Sequence, residues 1–290
     1  MSAERGAAPR SAVVTGASSG LGRATALALD RAGWRVFAGV RSRPAAAALR
    51  KDASGRLTPV LLDVTKPAQV AAAAAAVRRS IGAGAGLEAL VSNAGIVAAV
   101  GPLEFTAADD IRRQLDVNLI GHLAVIKAFL PLLRAARGRI LITGSVLGRI
   151  PLPLAGAYCA AERGLQAVAD ALRAELRPWR VSVSLVEASA TRTSMMDKGA
   201  RATVAPSMMR PPDVRNVYVP MIERGWADIR KLCRGREIAP ERFASVVLKI
   251  LAARRPRARY VVGAFKALAR IYPLIPTRLV DARFHRVLIK

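Results

Sequence analysis

Short apolar runs alternate with longer amphipathic stretches through most of the chain, a rhythm that predicts strand-helix units feeding a parallel sheet. The expected strands are Ala12–Thr15, Arg35–Gly39, Leu57–Leu62, Ala89–Ser92, Gly138–Thr143, Val181–Val186 and Arg259–Val262. Helices fill the intervals. Ala68–Ile81 contains six consecutive alanines, so its helix propensity is high, and Ala83–Gly86 breaks it. Leu165–Leu176 is a second strong helix, opened by Tyr158, with Val168, Leu172 and Leu176 on one face and Pro178 closing it. The expected fold class is α/β, a doubly wound parallel sheet of about seven strands. It forms one domain over residues 11–290, preceded by a disordered N-terminus, residues 1–10.

Residues 194–240 break this rhythm. They hold Pro206, Pro211, Pro212, Pro220 and Pro240, together with Met195, Met196, Met208, Met209 and Met221. An insertion after the sixth strand of a doubly wound sheet sits at the carboxyl ends of the strands, where ligands bind. It is therefore expected to be a substrate lid. Flexible thioethers adapt to varied apolar shapes, which suits a bulky lipophilic small molecule; the same methionines could equally serve only to pack the lid.

Length and composition narrow the class. A chain of 290 residues that is 52% hydrophobic is long enough for one large core. Residues 1–10 lack the apolar core of a secretory signal, and no run approaches the ~18 consecutive apolar residues of a membrane span. Two cysteines, Cys159 and Cys233, indicate neither a disulfide framework nor a zinc site, and no metal is expected. A cytoplasmic protein without an integral membrane segment is the expectation. The formal charge of +26 attracts anions in general and specifies no nucleic acid; arginine makes up most of it, as base composition alone can produce. The tail, Ile271–Pro276 followed by residues 277–290, mixes apolar and basic residues and could dock on lipid or on a sister subunit, with packing the favoured use.

Candidate chemistry begins at Thr15-Gly16-Ala17-Ser18-Ser19-Gly20-Leu21-Gly22, between an apolar run and a helical pattern. Such a turn lets backbone approach a pyrophosphate and aims free amides and the helix dipole at its charge. Four further elements follow in order: Asp63-Val64, Asn93-Ala94-Gly95, Asn118, and Ser145 thirteen residues before Tyr158. Over residues 10–193 the chain resembles the classical short-chain dehydrogenase/reductase family, with a looser match at Arg255–Gly263. The resemblance implies a Rossmann-type fold, a homodimer or homotetramer, and a nicotinamide cofactor. Gly16, Ser18, Ser19, Gly20, Leu21 and Gly22 would hold the pyrophosphate. Asp63 and Val64 would meet the adenine, Asn93, Ala94 and Gly95 would line the cleft, and Thr193 would contact the carboxamide. At the end of the second strand no acid is present to bind a ribose 2′-hydroxyl, whereas Arg41 and Arg43 suit a 2′-phosphate. The expected cofactor is NADP(H) rather than NAD(H).

In that family a tyrosine exchanges the proton of the substrate oxygen, a serine hydrogen-bonds that oxygen, and an asparagine links a lysine to a water relay. Tyr158, Ser145 and Asn118 match position by position. Glu162 stands where the lysine is expected, and if ionised it pushes the phenol's pKa the wrong way. Ala188-Ser189 stands where the family has Pro-Gly. Three accounts of Glu162 are open: it accepts from ribose hydroxyls and leaves Tyr158 a neutral acid; Arg163 supplies the missing charge, which its position around the helix disfavours; or hydride transfer is lost. The leading expectation is an NADP(H)-dependent reductase of a bulky lipophilic carbonyl, with Tyr158 as proton donor. The alternatives are a redox-neutral isomerase, dehydratase or cyclase, or a catalytically silent binding protein. His122 and Cys159 are weaker candidates, a lone buried histidine being more often a packing residue.

Overall fold

The computed structural model describes residues 10–82, 84–192, 203–204 and 212–288. Thr193, the methionines at 195, 196, 208 and 209 and residues 1–9 lie outside the described residues. Seven parallel strands form one sheet in the order β3-β2-β1-β4-β5-β6-β7. They are β1 (Ser11–Val14), β2 (Arg35–Val40), β3 (Leu57–Leu61), β4 (Ala89–Ser92), β5 (Arg139–Ser145), β6 (Ser182–Ala188) and β7 (Arg259–Val262). The order reverses beside β1, which opens a crevice at the carboxyl ends of β1 and β4.

The sheet is buried on both faces, which is why its central strands read as unbroken apolar runs. On one face Val13, Leu90, Ile140 and Ile142 meet α3 (Pro67–Ile81), α5 (Gly121–Ala136) and α6 (Gly156–Glu175) through Val77, Phe129, Leu133 and Leu165. On the other, Ala12, Val36, Val91 and Leu141 meet α1 (Gly20–Arg31) and α8 (Pro240–Ala252) through Leu27, Phe243, Val247 and Ile250. Pro67 and Pro240 open their helices at the first turn, where the missing N–H leaves no bond unmade. α2 (Arg43–Arg50) and α4 (Ala108–Leu115) complete the set before the site.

β5 and β6 each run two residues beyond their expected ends. The apolar run stops at Thr143 and Val186, but the ladder continues through Gly144↔Glu187 and Ser145↔Ala188. Buried Glu187 is tolerated there because Arg149 holds its carboxylate with two bonds of 2.6 Å and Gln166 donates a third at 2.9 Å. Ser145 is thereby the last residue of a central strand.

The segment expected to be a substrate lid contains a 22-residue helix, α7 (Pro212–Cys233), with Pro220 inside it. Proline at its first position presets helical φ. Arg10 is already part of the fold, since its carbonyl accepts from Arg35 N and its guanidinium covers the Trp34 ring at 4.4 Å. In the tail, α9 (Lys266–Ile271) buries Ala269 against Val146 and Ile150, and α10 (Thr277–Leu288) follows. Continuous helix from Ala108 to Ala136 is long and apolar enough to cross a membrane by length and composition. Its buried residues Val125, Ile126, Phe129 and Leu133 pack in the core.

Phe129 is fully buried among these side chains. Phe129→Ala is expected to lower unfolding free energy by ~3–5 kcal/mol, read from the midpoint shift in urea denaturation.

Candidate active site

The turn after β1 is built for close backbone approach. Gly16 has φ +66° and Gly20 φ +55°, which favour glycine. A Cβ on Gly22 would press on the Gly16 carbonyl and lie 2.5 Å from Asn93 Nδ2. Ser19 occupies the N-cap of α1 in extended conformation, yet its side chain makes no capping bond and no acid lies in the first turn. The helix start is left to an external anion. Arg41 and Arg43 are exposed at the end of β2. Asp63 faces the same region: burial would raise its pKa, but hydrogen bonds from Thr65 and the charges of Lys66 and Arg41 outweigh that and lower it. Val64 packs against Gly121 behind it.

Thr15, fully buried, locks this turn to the start of the loop that follows β4. Its Oγ1 accepts from Asn93 N at 2.8 Å and Ala94 N at 3.0 Å, and its carbonyl accepts from Asn93 Nδ2 at 3.1 Å. The loop beyond is held by three polar residues spaced four apart on one helix. Gln114 Oε1 accepts from Ala98 N and its Nε2 donates to the Ile96 carbonyl. Asn118 Oδ1 accepts from Ile96 N at 2.9 Å. His122 lies 2.8 Å from Ser92 Oγ through Nδ1 and 2.9 Å from the Ala94 carbonyl through Nε2. Burial lowers the His122 pKa to about 4, so the ring is neutral, and the carbonyl contact fixes the proton on Nε2. Thr15 was named only as the start of the turn and Gln114 was not singled out; the recurrence of uncharged polar residues at 114, 118 and 122 on one helix was the available signal.

Between Gln114 and His122 the helix widens into a π turn, Asp116–Ile120. Such turns mark places where helix phase is reset around a functional side chain. Here Asn118 also donates from Nδ2 to Glu162 Oε1 at 3.1 Å, which joins the β4 loop to α6.

Ser145 ends β5 and caps the short helical turn Val146–Gly148, accepting from Leu147 N at 3.1 Å. Tyr158 lies in the first turn of α6, half-buried, and interacts with both Ser145 and Glu162. Ser145, Tyr158, Asn118 and Glu162 therefore converge. Burial pushes the Tyr158 phenol well above its usual range, the Glu162 carboxyl adds to that, and the Ser145 hydrogen bond offsets part. Glu162 is only 5% exposed. Burial raises its pKa to about 7, against the lowering effect of Asn118, the Ser145 amide and Tyr158. Its Oε2 makes no hydrogen bond of normal geometry.

Arg163 does not enter the cluster; it is exposed and donates to the Gly148 carbonyl at 3.1 Å. Buried Cys159 turns away too, its Sγ accepting from Leu152 N at 3.4 Å. Ala188-Ser189 lies at the end of β6, with Ser189 N donating to the Val262 carbonyl. Thr193 lies outside the described residues. To one side, Leu154, Phe105, Tyr218, Val219 and Trp226 pack around Val204 and Ile222, which brings α7 against the loops beyond β4 and β5. Among the described residues no group of His, Cys, Asp and Glu could hold a metal ion.

The family model for short chain dehydrogenase matches residues 10–203. Retinol dehydrogenase 5 of Mus musculus is 37% identical over 274 residues, covering 93% of this chain and 86% of that relative. A short chain dehydrogenase from Burkholderia cenocepacia, solved with NADP, superposes with a TM-score of 0.72 at 27% identity, over 95% of this chain and 97% of that one. One from Burkholderia phymatum, solved with NAD, has the same fold, with a TM-score of 0.75 at 24% identity over 97% of each chain.

Glu162 gives the folded protein a measurable pH signature. Its folded pKa, about 7, lies above the ordinary 4.5, so the stability it contributes is complete below about 4.5 and is lost as pH rises through 7. Glu162→Gln removes that loss. The variant's stability relative to wild type is expected to rise between pH 5 and pH 8 by about 3 kcal/mol, measured by denaturant titration. His122 acts in the opposite sense, its contribution being lost as pH falls through about 4, and it cancels in the difference between the two proteins.

Proposed function

The chain belongs to the short chain dehydrogenase family, and on that premise we propose that it is an NADP(H)-dependent reductase of a bulky lipophilic carbonyl. The observation that carries this reading is the state of Tyr158. Its phenol is held neutral by burial and by a neighbouring carboxyl, and it interacts with Ser145 at the end of β5. A phenol so placed can give a proton to a developing alkoxide, but it is poorly suited to take one from an alcohol. Reduction is the direction that uses this state.

A nicotinamide nucleotide, when bound, supplies the hydride. The residues suited to hold it are those of the turn Gly16–Gly22, whose glycines leave room and whose helix start carries no competing cap. Arg41 and Arg43 support the phosphorylated form, since a guanidinium fork fits a 2′-phosphate and no acid stands at the end of β2. Ser145 would orient the substrate carbonyl and Tyr158 would protonate its oxygen. The apolar cluster around Phe105, Tyr218 and Trp226 supports a large apolar substrate, and the retinol dehydrogenase relative points the same way. A second reading, redox-neutral acid catalysis in the same pocket, is favoured by one observation: a carboxyl rather than a cation lies beside Tyr158.

Isothermal titration is expected to show NADPH binding more tightly than NADH, with Arg41→Ala removing most of the difference. Equal affinities in wild type would exclude the NADP(H) assignment. Tyr158→Phe is expected to lower turnover of retinaldehyde or a related lipophilic carbonyl by at least ~10²-fold, with NADPH affinity nearly unchanged. Deuterium from labelled NADPH should appear in the product; turnover without label would identify the redox-neutral reading.

A further inference from the structure

Resting on the reading of Tyr158 as proton donor, we propose that Glu162 is the proton store behind it, a buried carboxylic acid that recharges the phenol after each turnover. The geometry has three parts. Glu162 sits one helical turn beyond Tyr158 on α6, enclosed by the end of β5 and the π turn. Its Oε1 is fixed by Asn118 Nδ2 at 3.1 Å. Its Oε2 has no hydrogen-bond partner. A carboxylate offers about four acceptor sites; here only Asn118 meets them in normal hydrogen-bond geometry, the Ser145 amide and the Tyr158 phenol adding weaker support, which is a poor setting for a buried anion. A neutral acid needs less, and its free O–H requires only one acceptor; the Tyr158 phenol is the side chain that interacts with it.

Among the described residues, none of those that face Glu162 supplies a cation to hold it ionised. From its own helix it faces Tyr158 and Cys159; from β5 and the turn beyond, Gly144 and the Ser145 amide; from the π turn, Asn118. From β6 it faces Glu187, a like charge whose own carboxylate is occupied by Arg149 and Gln166. Burial and Glu187 both favour the protonated acid, and its pKa of about 7 keeps the proton available near neutrality.

The proton steps balance. As the carbonyl carbon gains hydride from the reduced nicotinamide, the carbonyl π pair moves to oxygen and takes the Tyr158 proton, forming the alcohol's O–H while the phenolic O–H breaks. The phenolate then takes the Glu162 proton, and the Glu162 carboxylate recovers one from water before the next cycle. Glu162 acts through Tyr158 and touches no reacting atom of the substrate. It is a positioning and relay residue. A lysine would assist the phenol by charge, whereas this carboxyl assists it by mass transfer of a proton, so the pH dependence has the opposite sign.

The test uses the full-length protein with NADPH and retinaldehyde at saturating concentrations. Wild-type kcat for reduction is expected to fall as pH rises through about 7, following loss of the Glu162 proton. Glu162→Gln should lower kcat at pH 6 by ~10-fold or more and flatten the profile between pH 6 and 8.5. Glu162→Asp, which keeps the acid, should retain an inflection. Infrared difference spectra of wild-type protein alone, between pH 6 and 8.5, should show a protonated carboxyl disappearing, independent of activity and of any variant's folding. A Glu162→Gln profile matching wild type, or a Glu162 already ionised at pH 6, overturns the proposal. If Tyr158→Phe keeps full turnover, the donor reading itself fails and this proposal with it; if Tyr158→Phe is inactive while Glu162→Gln matches wild type, only the proton store is excluded.

Discussion

The side chain of Asn118 ties together two elements that carry the site. It accepts from Ile96 N in the loop beyond β4 and donates to Glu162 Oε1 on α6. Loops rarely hold a catalytic geometry by themselves, because each free residue keeps its conformational entropy until a partner fixes it. Here Gln114, Asn118 and His122 fix residues 92–98 from one helix, and Thr15 fixes their start from β1. The π turn at Asp116–Ile120 accommodates this, since it resets the helix just where Asn118 must reach two partners. Loss of the Asn118 amide would remove at once its bonds to the Ile96 amide and to the buried Glu162 carboxyl, so both ends of the site would be loosened together.

Charge is distributed unevenly along the crevice. At the adenosine end Arg41 and Lys66 surround Asp63, and the helix start of α1 adds uncapped amides; all favour an anion. At the other end the buried titratable groups are carboxyls, Glu162 and Glu187, and the cation beside them, Arg149, is bound to Glu187. The first end thus presents cations and free amides, and the second a pair of buried carboxyls of which one, Glu187, is neutralised by an ion pair.

The sheet was legible in the sequence because parallel strands buried on both faces leave continuous apolar runs, and all seven appear within two residues of their expected places. The two misplaced ends, in β5 and β6, fall where the ladder carries polar residues whose partners are remote in sequence: Glu187 with Arg149 and Gln166. Local pattern cannot announce a buried ion pair. The clustering of Ser145, Tyr158, Asn118 and Glu162 was readable only through spacing in a family resemblance, since Asn118 and Glu162 are 44 positions apart. α7 was not named as an element because the prolines of residues 194–240 break the strand-helix rhythm, although Pro212 stands at a helix start and Pro220 costs its helix a single backbone donor. His122 looked like a packing residue; its two hydrogen bonds make it a structural clamp on the cleft loop.

The positions that depart from the resemblance, Glu162 and Ala188-Ser189, each carry a polar side chain into a buried setting, and the Ser189 hydroxyl, like Glu162 Oε2, has no hydrogen-bond partner there. Ser189 fits against Gly263, whose φ of +118° favours glycine and where any Cβ would collide with the Ser189 hydroxyl. Its backbone still pairs with Val262, so the end of β6 keeps its register without a proline. Glu162 fits in the same sense: Asn118 is oriented to donate to it, and Gly144 leaves space beside Oε2, where an added Cβ would come within 3.4 Å. A buried acid with no such accommodation would leave a domain of this size with much less of its marginal stability. Each of these residues is thus accompanied by a glycine whose lack of a side chain makes room for it, Gly263 beside Ser189 and Gly144 beside Glu162, so the space they occupy depends on those neighbours as much as on the substituted side chains themselves.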